Sequence, residues 1–180
     1  MQSDNKKLLF IFLLGLIAGA IIYFLYQALF PLSSVVSASS VFSPENGDEI
    51  ISLIDSAKQS LDIEMYVFTS DDILQSLKRA RDRGVKIRIV LEKRISNNEN
   101  QKIFDALKIY GIEVRWASIE YALTHAKFII IDGKRVLVGS HNFSNSAMHK
   151  NREASVLIQS EKIASDFQRV FEEDWIKANY

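Results

Sequence analysis

No cysteine occurs among the 180 residues, prolines number two, glycines seven and histidines three. Without thiols there can be neither a disulfide framework nor a thiolate metal site, and the redox compartment stays open. The three histidines sit at spacings that match no close pair of zinc ligands, so no metal is expected. Charge of one sign is lacking as well: 22 Lys and Arg balance 22 Asp and Glu. That balance excludes a wholesale polyanion binder while leaving room for local patches. Internal repeats and low-complexity tracts are absent. What the chain does have is apolar residues, at 48%, enough for the core of one ordinary domain plus an appendage.

The appendage is at the N-terminus. Residues 1–7 read as a tail, 8–30 as an apolar helix broken only by Gln27 and small residues, and 31–40 as a Ser-rich linker. At 1.5 Å per residue the apolar helix would be about 34 Å long, against a hydrocarbon core of about 30 Å. Tyr23, Tyr26 and Phe30 fall toward its far end, where aromatic side chains favour a membrane interface. The reading is therefore a single-pass anchor in the lipid bilayer; a cleaved signal peptide ending near Val36-Ser37-Ala38 is the alternative. Lys6 and Lys7 precede the helix and no Lys or Arg follows until Lys58. This puts the N-terminus in the cytoplasm and residues 41–180, the catalytic domain, outside it. An organelle outer membrane with a cytosolic domain is the other orientation.

Within residues 41–180, periods of two and of 3.6 alternate. A first strand lies around Val41, and a helix follows Asp48 through Lys58. A strand spans Leu61 to Phe68, and a helix opens at Ser70-Asp71-Asp72 and stops at Gly84. Val85 to Leu91, Ile112 to Trp116 and Glu153 to Ile158 read as strands, Asn98 to Tyr110 and Glu161 to Lys177 as helices. Strands alternating with helices predict an α/β fold, with a mixed, largely parallel central sheet sandwiched between helices.

The chain is organised around Thr124 to Asp132 and Gly139 to Asn142. His125 and Lys127 are two apart and would share one face of a strand. Phe128 to Ile131 continue it as a buried run, Asp132-Gly133-Lys134 signals a tight turn, and Arg135 to Val138 returns. One hairpin thus gathers an imidazole, an ammonium, the Ser140 hydroxyl and the Asn142 amide at one end of a sheet. That is equipment for handling phosphate.

The pattern His125-x-Lys127, four residues, Asp132, six residues, Gly139-Ser140 and then Asn142 resembles the phospholipase D superfamily signature. Asn151-x-Glu153 downstream resembles the small single-motif endonuclease branch, and the likeness runs from about Val41 to Trp175. Chemically, a neutral imidazole can attack phosphorus and divide a hard hydrolysis into two easier steps through a phosphohistidine. Lys127 can neutralise developing charge, and Ser140 and Asn142 can donate to the same oxygens. Glu153 is the candidate to fix the imidazole tautomer; Asp132 joins the site by its motif position, with a turn-holding role as its alternative. The leaving oxygen needs a proton, and the chain offers one His-x-Lys, so the resemblance implies a homodimer in which two His125 rings share one phosphate. No metal or cofactor is required.

The resulting reading is a membrane-anchored, metal-independent endonuclease acting on nucleic acid, single strands favoured; a phospholipase D-type hydrolase of phospholipid head groups is the rival. A non-catalytic scaffold is disfavoured by the intact motif. The cations between Lys78 and Arg94, with Lys134, Arg135, Lys150 and Arg152, read either as solvated faces or as a nucleic-acid track. Trp116 and Tyr121 are candidate base-stacking groups, Trp116 equally a core residue. Tyr66 and Phe68 read as packing.

Overall fold

A computed structural model describes residues 2–29 and 36–179. They fall into two compact units, one within residues 1–35 and one within 36–180. The first is helix α1 (Gln2–Leu29). Its side chains are described from residue 10 to residue 26, all of them exposed. Among the described residues no helix is long and apolar enough to cross a membrane. The expected single-pass localisation with an extracytoplasmic domain is overturned by this finding. Phe30 and residues 31–35 of the stretch read as a linker lie outside the described residues.

The second unit is built on one seven-stranded sheet in the order β1-β7-β6-β5-β2-β3-β4. The strands are β1 (Ser37–Ser43), β2 (Ser60–Met65), β3 (Lys86–Leu91), β4 (Glu113–Trp116), β5 (Lys127–Ile131), β6 (Arg135–Gly139) and β7 (Glu153–Gln159). β1 begins inside the stretch read as linker. The sheet is mixed, as expected, but not largely parallel. Only β2-β3 and β3-β4 are parallel; β1-β7, β7-β6, β6-β5 and β5-β2 are antiparallel. The reason is the supply of crossovers. A parallel return needs a dozen or more residues, usually with a helix; α3 (Asp71–Asp82) and α4 (Glu99–Ile109) make such returns between neighbouring strands, while the β6–β7 connection, though it also holds a helix, comes back antiparallel. The β5–β6 connection is a tight turn, with Asp132 at φ 55° and Gly133 at φ 63°.

Helices cover both faces. α2 (Glu49–Asp55), α3 and α4 bury Ile50, Ile54, Leu77, Phe104 and Leu107 against Leu61, Ile63, Ile89, Ile129 and Leu137 of the sheet. α6 (Glu161–Lys177) closes the other face, packing Ala164, Phe171 and Trp175 on Val90, Phe128, Ile130 and Val136. Because β5 is covered on both sides, every residue of its Lys-Phe-Ile-Ile-Ile run is buried. Ser70 caps α3 through the Ile73 amide, as expected, whereas Asp48 precedes α2 without a side-chain cap. A short helix α5 (Asn145–His149), opened by Ser144, was not expected.

Strand directions decide where the chemistry falls. The ends of β2, β3, β4 and β6 and the starts of β5 and β7 share one edge of the sheet. Parallel pairing gives way to antiparallel there, between β2 and β5. Such switch points form crevices in open α/β sheets.

Candidate active site

Lys127 opens β5 and is 9% exposed. Its Nζ donates to the His125 carbonyl at 2.9 Å and stands 3.3 and 3.2 Å from the two imidazole nitrogens. Burial pulls its pKa below the usual lysine range, and the charge of Glu153 works the other way. His125 itself is exposed. The Tyr66 ring backs it, at 4.4 Å between centroids, and Lys127 Nζ lies 5.1 Å from that same ring. Tyr66 is therefore more than packing: its π face meets both a cation and the imidazole.

The second arm comes from the end of β6. Gly139 lies so close to Ala154 and Ser155 of β7 that a Cβ there would collide with their backbone. Glycine thus lets the arm lie flat on β7, where the Ser140 amide donates to the Ala154 carbonyl. Ser140 Oγ donates to Glu153 Oε2 at 2.5 Å, and Asn151 Nδ2 donates to Glu153 Oε1 at 3.1 Å. Burial would raise the Glu153 pKa, but those bonds and the nearby His141 and Lys127 together hold it below the usual glutamate range. Asn142 Oδ1 accepts from the Val67 amide at 3.2 Å. With its oxygen so engaged, its amide nitrogen is the end left to donate to a substrate oxygen.

His125, Lys127, Ser140, Asn142 and Glu153 are thus brought to one edge. Asp132 is not. It ends β5 at the opposite side of the sheet, about 16 Å along the strand from Lys127 at 3.3 Å per residue. There its carboxylate accepts from the Lys58, Gln59 and Ser60 amides at 2.7–3.2 Å, with Arg135 at 3.9 Å. Its placement with the catalytic residues is corrected: it holds a turn. Glu153 is also differently engaged than expected. Among the described residues its hydrogen bonds go to Ser140 and Asn151, and none reaches His125.

The basic stretch is largely neutralised within the fold. Arg79 pairs with Asp55, Arg88 with Asp62 and Glu172, and Arg94 with Glu92. Trp116 stacks on Phe104 at 3.9 Å and is core. Sequence reasoning passed over His141, which is 3% exposed, with Nδ1 2.7 Å from Ser155 Oγ. Burial pushes its pKa down against the pull of Glu153. Its position inside the Gly139–Asn142 arm was the one signal available.

An imidazole, a desolvated ammonium and the Asn142 amide donor around one opening are suited to a tetrahedral oxyanion, the class of site that handles phosphate esters. The comparisons give the family. A profile described as "Cardiolipin synthase, PLD-like domain" matches residues 50–175, and the chain belongs to this phospholipase D-like family. It is 30% identical over 133 residues to a mitochondrial cardiolipin hydrolase of Chlamydomonas reinhardtii, covering 74% of this chain and 59% of that protein. It is 32% identical over 133 residues to a phospholipase D of Rickettsia prowazekii, covering 73% and 64% respectively. The chain therefore spans about three-fifths of the length of these curated relatives. Among solved structures it matches Nuc of Salmonella typhimurium, a phospholipase D family member. The TM-score is 0.75 and the identity 32%, covering 80% of this chain and 97% of that one.

Proposed function

We propose that this chain is a metal-independent phosphodiesterase of nuclease type, working through a phosphohistidine at a site shared by two protomers. The observation that carries the reading is the exposed His125 imidazole set against the buried Lys127 ammonium, 3.2–3.3 Å away. A neutral His125 attacks phosphorus in line with the leaving oxygen. Lys127 and Asn142 take up charge on the non-bridging oxygens, Ser140 keeps Glu153 in place beside them, and His125 of a second copy protonates the leaving group. Water, deprotonated by that second imidazole, then releases the phosphate and restores both rings. Two histidines in unlike protonation states give a bell-shaped pH dependence belonging to the pair.

An exposed nucleophile suits a phosphate in the middle of a polymer, flanked on both sides by sugars. The match over nearly the whole of Nuc supports a compact single-motif enzyme of this kind. The second reading, a lipid phosphodiesterase, is favoured by the names of the curated relatives. Purified full chain in excess EDTA, offered single-stranded DNA, duplex DNA, RNA and cardiolipin vesicles, separates the two. Cleavage of nucleic acid, lost in His125→Ala at unchanged thermal stability, is expected. Loss of all activity on chelation would remove the metal-free mechanism, and turnover of vesicles alone would replace the nuclease with the lipase.

A further inference from the structure

His125 is carried by residues 117–126, a segment between β4 and β5 without regular structure. Its ring lies against the Tyr66 ring and the Lys127 ammonium. The place of the imidazole therefore depends on what holds this backbone. The holder is an ion pair just beyond β3, its carboxylate buried and its guanidinium partly exposed. Glu92 is fully buried. Its Oε1 accepts from the Arg94 amide at 2.7 Å and from Arg94 Nε at 2.8 Å. Its Oε2 accepts from Arg94 Nη2 at 2.8 Å and from the Thr124 amide at 2.8 Å, one residue before His125. The guanidinium reaches on into the same segment, donating to the Tyr121 carbonyl at 2.7 Å and the Ser118 carbonyl at 3.1 Å.

Asn100, 1% exposed, extends the framework to the other side of the ring. Its Nδ2 donates to the Glu92 carbonyl and to the Tyr66 carbonyl, both at 2.8 Å, and its Oδ1 accepts from the Phe68 amide at 2.7 Å. Thr124 on one side of the imidazole and Tyr66 on the other are thus both tied to Glu92, Thr124 directly and Tyr66 through Asn100. Every carboxylate oxygen and most of the guanidinium fork is committed to this task, so Arg94 is spent on backbone and not on substrate.

We infer that Glu92 and Arg94 are positioning residues, a bidentate clamp that sets the His125 imidazole for in-line attack. This rests on the reading of His125 as nucleophile. A displacement of about 1 Å in a reacting group costs on the order of 100-fold in rate, and it costs that in the chemical step, not in substrate binding. Lysine cannot replace arginine here, because a point charge cannot satisfy the carboxylate and two carbonyls at once.

The test uses the full chain and bis(4-nitrophenyl) phosphate, a small phosphodiester that makes no demand on nucleic-acid or lipid contacts, with chelator present. Arg94→Ala is expected to lower kcat about 100-fold with KM within about twofold, and Arg94→Lys to recover little of it. The Arg94 side chain is 34% exposed, so guanidinium ion at non-denaturing concentration can enter the gap. It is expected to restore kcat of Arg94→Ala at least tenfold while sodium chloride does not. A purely structural defect would show no such rescue. His125→Ala runs in parallel. If it keeps activity, the nucleophile reading fails and the clamp has nothing to position. If it is inactive while Arg94→Ala keeps kcat within threefold, or is not rescued, the clamp is overturned alone. Should Arg94→Ala not fold, the isosteric Glu92→Gln decides: about a tenfold fall in kcat supports the clamp, and an unchanged kcat overturns it.

Discussion

The two ends of the β5–β6 hairpin hold opposite kinds of charge in opposite condition. At one end Lys127 is buried, its pKa drawn down by desolvation, in front of an exposed imidazole and donors that are not fully used. At the other, burial would raise the Asp132 pKa, yet three backbone amides and Arg135 overcome that and hold it below the usual range. One end keeps its electrostatics unsatisfied and available; the other has closed the account. The sequence motif spans both, so motif membership does not imply a catalytic role. A buried group whose partners are all internal is architecture, and one whose partners are missing awaits a ligand.

The largest effect should come from the open end. Lys127→Met keeps the length and volume of the stem and removes a desolvated charge. Turnover should fall about 1,000-fold, about 4 kcal/mol of barrier, while the melting temperature holds or rises. A drop in stability matching the loss of rate would show that Lys127 is structural and would erase the contrast.

The closed end should respond in reverse. Asp132→Ala leaves three amides without their acceptor and puts a Cβ without a compensating side chain at φ 55°. A stability loss of about 3 kcal/mol is expected, with kcat per folded molecule within threefold. Because folding depresses this carboxyl's pKa, its contribution is present above the unfolded value and lost as pH falls through the folded one. Denaturant melts of wild type and variant should accordingly converge in acid and separate toward neutral pH.

A third carboxyl sharpens the comparison by lacking the donors that Asp132 has. Glu64 is 1% exposed on the α6 face of β2, and its Oε1 has no hydrogen-bond partner among the described residues. Burial first, and then the adjacent Asp174, push its pKa up to about 8 from an ordinary 4.5. The folded state thus keeps a proton that the unfolded state has shed between those two values, so this group makes stability decline as pH rises from about 4.5 to about 8. Asp174→Asn should flatten the decline, leaving the variant about 1–2 kcal/mol more stable than wild type at pH 8 and nearly equal to it at pH 5. An unchanged slope would mean that the two carboxyls do not share a proton.

Much of this architecture was legible. The hairpin announced itself because an apolar β-branched run, an Asp-Gly turn and a second run leave few alternatives, and the gathering of His125, Lys127, Ser140 and Asn142 followed from it, while Glu153 was added by the resemblance of Asn151-x-Glu153. What stayed hidden depended on partners distant in sequence. Glu92 and Arg94 meet Thr124 and Ser118 across more than twenty residues. Along the chain only Asp82 and Glu92 oppose the cations of residues 78–94, because Asp55, Asp62 and Glu172 arrive from other elements. The sense of the sheet was misjudged because alternation of strands and helices counts crossovers but does not say which strands become neighbours. Helix α5 is five residues long, too short for periodicity to register.

The smallest effects test whether the neutralised cations are as idle as their pairing suggests. Arg79 makes a bidentate pair with Asp55 on the helical face, its side chain half exposed. A pair of that kind contributes about 0–1 kcal/mol, and its charge is already answered. Lys150 is exposed beside Asn151, a hydrogen-bond partner of Glu153, and no ion pair holds it among the described residues. If the substrate is a polynucleotide, Lys150→Gln should weaken binding to a single-stranded oligonucleotide about threefold and lower the slope of log Kd against log salt by about one counterion. Arg79→Gln should change neither by more than the scatter of replicate titrations. Equal salt dependence in the two variants would mean that pairing inside the fold does not separate idle cations from working ones, and the distinction between satisfied and waiting charges would then hold only inside the hairpin.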